Sequence, residues 1–132
     1  MKTGYIWTYQ NTPGGADFIP QRAYFVRELC GLNFWVNKPP KSNCYHITIM
    51  ECGLSCCKLT NSANYKQAME AAWKYIEENI NVIIHSYNNF CKRDHHIVGQ
   101  LKLLYKTAAP TRLKRMMRAD FLCSDDPYII PT

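Results

Sequence analysis

His46 and Thr48 lie two residues apart in the mostly apolar run Cys44 to Glu51. Alternate residues of a strand share a face, so this spacing sets an imidazole beside a hydroxyl. Such a pair can work on a phosphodiester, the imidazole moving a proton while the hydroxyl holds a phosphate oxygen. A complete site needs a second imidazole. His85-Ser86-Tyr87 carries its hydroxyl one place early and His95-His96-Ile97-Val98 carries none, so the second half would have to come from a homodimer. A second group of residues is suited to metal. Cys52-x3-Cys56 and Cys91-x3-His95 offer three sulfurs and one imidazole in two close pairs, the outline of a tetrahedral zinc site, with Cys44 and His46 as a substitute arm. The spacing is looser than the usual C-x2-C. The plainer expectation is that these cysteines are buried free thiols and no metal is bound.

The His46-Ile47-Thr48 pattern resembles one half of a two-histidine phosphoesterase, which implies a phosphodiester-cleaving enzyme with His46 and Thr48 as its catalytic residues. The same strand is similar to the metal-binding strand of a rolling-circle nuclease, with Tyr65 or Tyr75 as nucleophile, but it holds one of that family's two histidines. Arg93-Asp94-His95-His96 contains the Asp-His pair of the ββα-metal nucleases without their flanking spacing.

Charge makes the third constellation. The chain carries +6 overall, and residues 92–118 hold Lys92, Arg93, Lys102, Lys106, Arg112, Lys114, Arg115 and Arg118 against Asp94 alone. The tail 119–132 is acidic, with Asp120, Asp125 and Asp126. A focus of positive charge raises the local concentration of phosphates, and Lys92, Arg93, Arg112, Lys114, Arg115 and Arg118 are the candidate ligand-binding residues. Tyr5, Trp7 and Tyr9 share one strand face, with Phe34 and Trp35 as further candidate platforms for stacked bases. Asn88-Asn89-Phe90 ahead of Lys92-Arg93 is the pattern of a nucleotide-reading loop.

These groups need a scaffold. At 132 residues, 47% apolar and 20% charged, the chain is one globular domain spanning 1–132, and it is neither low-complexity nor disordered. Tyr5 to Tyr9 alternates as a strand, and Asn11 to Gly15 reads as a loop. Pro20 to Cys30 reads as a helix closed by Gly31, although Ala23-Tyr24-Phe25-Val26 also suits a strand. Strands follow at Leu32 to Val36 and Cys44 to Glu51, separated by a Pro39-Pro40 loop. From Ser62 the apolar period becomes helical through Tyr65, Ala68, Met69, Ala72, Ile76, Ile80 and Ile83, with Ser62 or Asn61 as cap and Val82-Ile83-Ile84 as an alternative strand start. Ile97 to Tyr105 reads as a strand with Lys102 outward, and Arg112 to Leu122 as a short helix. The fold class is α+β, a compact single domain with two or three helices packed on a mostly antiparallel sheet.

No apolar run is long enough to cross a membrane. Residues 1–7 show no signal-peptide pattern, so reduced cysteines and a cytoplasmic or nuclear residence are expected. The function expected is a small basic protein binding an anionic ligand, either RNA, single-stranded DNA or a nucleotide, without catalysis. The alternatives are the His46/Thr48 enzyme and a zinc-stabilised viral or accessory adaptor that grips a host protein.

Overall fold

A computed structural model of the chain describes residues 2–12, 15–40, 42–108, 113, 116, 117, 121, 122 and 128–131. Five strands, β1 (Thr3–Thr12), β2 (Gly15–Leu29), β3 (Leu32–Asn37), β4 (Tyr45–Ile49) and β5 (Ser55–Leu59), precede α1 (Tyr65–Arg93) and α2 (His95–Ala108). The strands form one antiparallel sheet in chain order. The α+β class follows directly.

The segment expected to be a helix, Pro20 to Cys30, is instead the body of β2. β1 pairs with the first half of β2, up to Tyr24, and β3 with the second half, from Tyr24 onward. Pro20 therefore sits where β2 has no β3 neighbour, and its missing N–H leaves no gap in that ladder. Gly31 does end an element, but as half of a two-residue hairpin turn: Cys30 and Gly31 have φ of 54° and 87°, the positive pair that suits the twist of a tight antiparallel hairpin. The Glu28 carboxylate accepts the Gly31 N–H at 2.8 Å and fastens the turn.

Alternation along β4 decides what each face does. Tyr45, Ile47 and Ile49 are buried on the side under α1, where the Tyr45 ring meets Tyr65 at 4.6 Å. His46 and Thr48 turn to the opposite face. Ala68, Ala72 and Ile76 of α1 are fully buried, which lets the helix lie close to the strands. Asn64, rather than Ser62 or Asn61, caps α1: its side-chain oxygen accepts the Gln67 N–H at 3.0 Å, and the Gln67 side chain accepts the Ala63 N–H at 2.9 Å. The helix bends at Asn79, whose side chain donates to the Tyr75 carbonyl at 2.9 Å. It runs through Val82-Ile83-Ile84, so no strand begins there.

Ile97 to Tyr105 is helical too, as α2, contrary to the strand expected. Ile97, Val98, Leu101 and Tyr105 recur at one-, three- and four-residue steps and are buried, while Lys102 is 6% exposed and Leu103 60% exposed. That is the reverse of the strand pattern, because on a helix Lys102 follows Val98 and Leu101 onto the covered side. Its ammonium lies 4.9 Å over the Phe121 ring.

The sheet is curled. The outer edge of β1 reaches the turn after β4, where the Tyr9 N–H donates to the Gly53 carbonyl at 2.9 Å, and Trp7 N–H donates to the Tyr105 hydroxyl of α2 at 3.1 Å. Two polar pairs hold the C-terminal residues. Asn33 gives its backbone N–H and its side-chain amide to the two oxygens of buried Glu51, both at 2.8 Å, and the same amide donates to the Met116 carbonyl at 3.0 Å. Asn88 exchanges two 2.9 Å bonds with the Ile130 backbone. Leu113, Met117 and Phe121 are buried, and 113, 116, 121 and 122 are helical; residues 112, 114, 115 and 118–120 of the expected Arg112 to Leu122 helix lie outside the described residues.

Candidate functional site

Curling brings residues of all five strands around one cavity of about 200 Å³, lined by Thr8, Tyr9, Gln10, Gln21, Asn37, Pro39, His46, Thr48, Gly53 and Ser55. The pair seen in the sequence, His46 and Thr48, is thus in a cavity together. The other polar members were not foreseen, because Gln21 falls in the segment expected as helix and Asn37 in the segment expected as loop. One signal was available for Asn37: it directly follows the apolar run Phe34-Trp35-Val36, where a polar side chain is placed with a partner or for a purpose.

Their hydrogen bonds run across the sheet. Thr48 donates its hydroxyl to Asn37 Oδ1 at 2.7 Å, Asn37 donates to Gln21 Oε1 at 2.8 Å, and Gln21 donates to Thr8 Oγ1 at 2.8 Å. Thr8 closes the relay by donating to the Ile19 carbonyl at 3.3 Å. All four residues are buried. Each amide has two N–H groups and an oxygen with two lone pairs, so each has a donor and an acceptor left over after the relay is satisfied. Thr48, by contrast, has given its single hydrogen to Asn37.

His46 is half-buried, and its Nε2 lies 3.4 Å from the Ser42 hydroxyl. Burial, with the Lys58 ammonium beside it, holds its pKa below the usual 6.5, so the ring is neutral at pH 7. Lys58 faces His46 across the β4–β5 ladder and is exposed. Among the described residues that line this cavity there is no second histidine. Tyr65 and Tyr75 do not line it either: Tyr65 packs on Tyr24 and Tyr45, and Tyr75 is hydrogen-bonded to Cys57.

The four residues of the expected zinc set are not brought together. His95 opens α2 with its side chain exposed, while Cys52 and Cys91 are buried. Among the described residues no three His, Cys, Asp or Glu side chains are grouped closely enough to hold a metal ion. Burial also pushes the thiols up, Cys56 to about 12, Cys91 to about 11 and Cys52 well above the usual value, so they are neutral at physiological pH and poor nucleophiles. All six described cysteines are free.

Lys92 and Arg93 are exposed in the last turn of α1, where cations also complement the helix dipole, and Arg93 pairs with Asp94 at 2.8 Å. Arg112, Lys114, Arg115 and Arg118 lie outside the described residues, as does the acidic tail's Asp120, Asp125 and Asp126. Asn88-Asn89 is no reading loop: α1 continues through it, and Asn88 is spent on Ile130. Phe34 and Trp35 are fully buried and cannot stack a ligand base, whereas Tyr5 is 62% exposed. Among the described residues no helix is long and apolar enough to cross a membrane. Comparison with known protein families, with curated proteins and with solved structures finds no match to this chain.

Proposed function

We propose that this chain binds a nucleotide without cleaving it, the base entering the polar cavity and the phosphate remaining outside. The observation that carries this is the meeting of Gln21, Asn37, His46 and Thr48 in one cavity with Lys58 beside His46. At about 200 Å³ the space is below the roughly 300–1,000 Å³ of pockets that enclose a whole drug-sized ligand, so one ring fits and its substituents stay out. The spare donor and acceptor on each amide suit the edge of a nucleobase, which pairs donors with acceptors. Lys58 then meets a phosphate at the mouth.

Two features favour binding over phosphodiester cleavage. General acid and base roles need two proton carriers, and His46 is the cavity's single imidazole among the described residues. Thr48 donates to Asn37 and has no hydrogen to offer a phosphate oxygen. The basic segment serves in this proposal as a second phosphate surface, through Lys92, Arg93, Arg112, Lys114, Arg115 and Arg118. Phe90, in the same final turns of α1 as Lys92 and Arg93, packs edge-on against cavity-lining Tyr9 at 6.1 Å and links that end of the helix to the site.

Calorimetric titration with the four ribonucleoside 5′-monophosphates tests the proposal. At least one should bind with Kd below about 1 mM, and Lys58→Ala and His46→Ala should each weaken it roughly tenfold, a loss of about 1.4 kcal/mol. Failure of all four to bind would remove the proposal. Cleavage of a dinucleoside monophosphate such as UpU at its phosphodiester, lost with His46→Ala, would restore the enzyme.

A further inference from the structure

We infer that the ligand is a single-stranded nucleic acid rather than a free nucleotide, with bases next to the one in the cavity stacking on a tyrosine face at the same end of the sheet. This rests on the cavity taking a base.

The face is built where α1 begins. The Tyr24 and Tyr65 rings lie 4.0 Å apart, and Tyr65 meets Tyr45 at 4.6 Å. Lys38 places its ammonium 5.5 Å over the Tyr45 ring. Across β2, Arg22 is the register partner of Tyr5 on β1, and Tyr24 is two residues along on the same face. Tyr5, Arg22 and Lys38 are exposed, and Tyr24 and Tyr65 are half-buried. Arg22 and Lys38 therefore flank the run Tyr24-Tyr65-Tyr45, of which Tyr45 is buried, with exposed Tyr5 beyond Arg22, and the first turn of α1 adds no acidic residue. Rings flanked by cations are what a nucleic-acid single strand needs: rings for the faces of bases, cations for the phosphates that link them.

Continuity with the cavity gives the path. Asn37 and Pro39 line the cavity, while Lys38 between them lies over Tyr45. A strand leaving the cavity over the β3 end meets Lys38 first and the tyrosines next. A free mononucleotide would use none of this face. The apolar tyrosine rings distinguish the surface from a merely basic one, which would take any polyanion.

Fluorescence anisotropy with labelled oligouridylate and oligothymidylate of about ten nucleotides, matched to the roughly 4–16 nucleotides that such surfaces cover, tests the inference alongside uridine and thymidine 5′-monophosphates. At least one oligonucleotide should bind about tenfold or more tighter than its mononucleotide. The double variant Tyr5→Ala with Arg22→Ala should remove that advantage and leave mononucleotide affinity unchanged. Both side chains are exposed, so the fold should tolerate the change, and circular dichroism checks it. Oligonucleotides that bind no tighter than mononucleotides, or a double variant that binds them as well as the parent, would overturn the inference. Oligonucleotide binding that depends on Tyr5 and Arg22 while no mononucleotide binds would instead overturn the cavity reading and leave the face standing.

Discussion

Replacing Gly53 by alanine should lower stability by about 3 kcal/mol, combining roughly 1–2 kcal/mol for a left-handed backbone with 1–3 kcal/mol for overpacking. Gly53 has a φ of +75°, and an added Cβ would stand 2.9 Å from the Phe18 ring, 3.1 Å from the Trp7 carbonyl oxygen and 3.2 Å from the Tyr9 nitrogen. Two of these neighbours are backbone atoms of β1 and cannot turn aside. The contact is also the one that closes the curl, since the Gly53 carbonyl takes the Tyr9 N–H. Pushing β1 away would open the cavity that Thr8, Gln10 and Gly53 line, so ligand affinity should fall with stability. Gly99, exposed on α2 with nothing within 4 Å of its Cβ position, is the control: Gly99→Ala should gain about 0.5–1 kcal/mol, the ordinary preference of a helix interior. Urea denaturation of both variants checks the pair. A Gly53→Ala loss no larger than about 1 kcal/mol would mean that the sheet is not closed at this point.

Stability should also fall as pH rises from about 5 to 8, by roughly 3 kcal/mol from one residue. Glu51 is fully buried, and desolvation pushes its carboxyl up from 4.5 to about 7 against the two bonds from Asn33 that favour the charge. The Glu28 carboxylate acts in the same direction as burial. In the unfolded chain the carboxyl loses its proton near 4.5, while in the folded chain it keeps the proton to about 7. Between those values the unfolded state binds fewer protons, so folding weakens with rising pH at up to about 1.4 kcal/mol per pH unit and levels off above 7. His46 works in the opposite sense. Its pKa is held down in the folded chain, so it adds stability that is lost as pH falls below 6.5. The Glu51→Gln variant separates the two, since it keeps the shape and has no proton to lose. Its stability should be flatter between pH 5 and 8 than the parent's by about 3 kcal/mol, measured by urea denaturation at each pH. Parallel pH profiles for the two proteins would show that Glu51 stays ionised in the fold.

Strand alternation and helical period made much of the scaffold legible. β1, β3, β4 and α1 are apparent in Tyr5 to Tyr9, Leu32 to Val36, Tyr45 to Ile49 and the Tyr65-Ala68-Ala72-Ile76 stripe. β2 was hidden because Pro20 and Gly31 are also helix-boundary residues; what decides between helix and strand is the long-range pairing with β1 and β3, to which a local pattern is blind. α2 was hidden because Leu101-Lys102-Leu103 alternates like a strand, while the burial of Lys102 is a tertiary fact. β5, Ser55-Cys56-Cys57-Lys58-Leu59, has neither a clean alternation nor β-branched residues, and β4 alone pairs with it. Of the site, His46 and Thr48 were readable from their spacing. Gln21, Asn37 and Thr8 join them through the long-range pairing of β1 to β4, and the Tyr9 to Gly53 bond closes the cavity around them; no spacing in the sequence encodes either.

The central claim, a base held in the polar cavity, is tested most directly by the side-chain amide signals of Gln21 and Asn37 in a ¹H–¹⁵N spectrum during titration with a ribonucleoside 5′-monophosphate. Those two pairs of amide signals and the His46 ring should shift together and saturate with one Kd. Signals of Gln21, Asn37 and His46 that stay fixed up to about 1 mM ligand, or shifts confined to the end of α1 around Lys92 and Arg93, would contradict it.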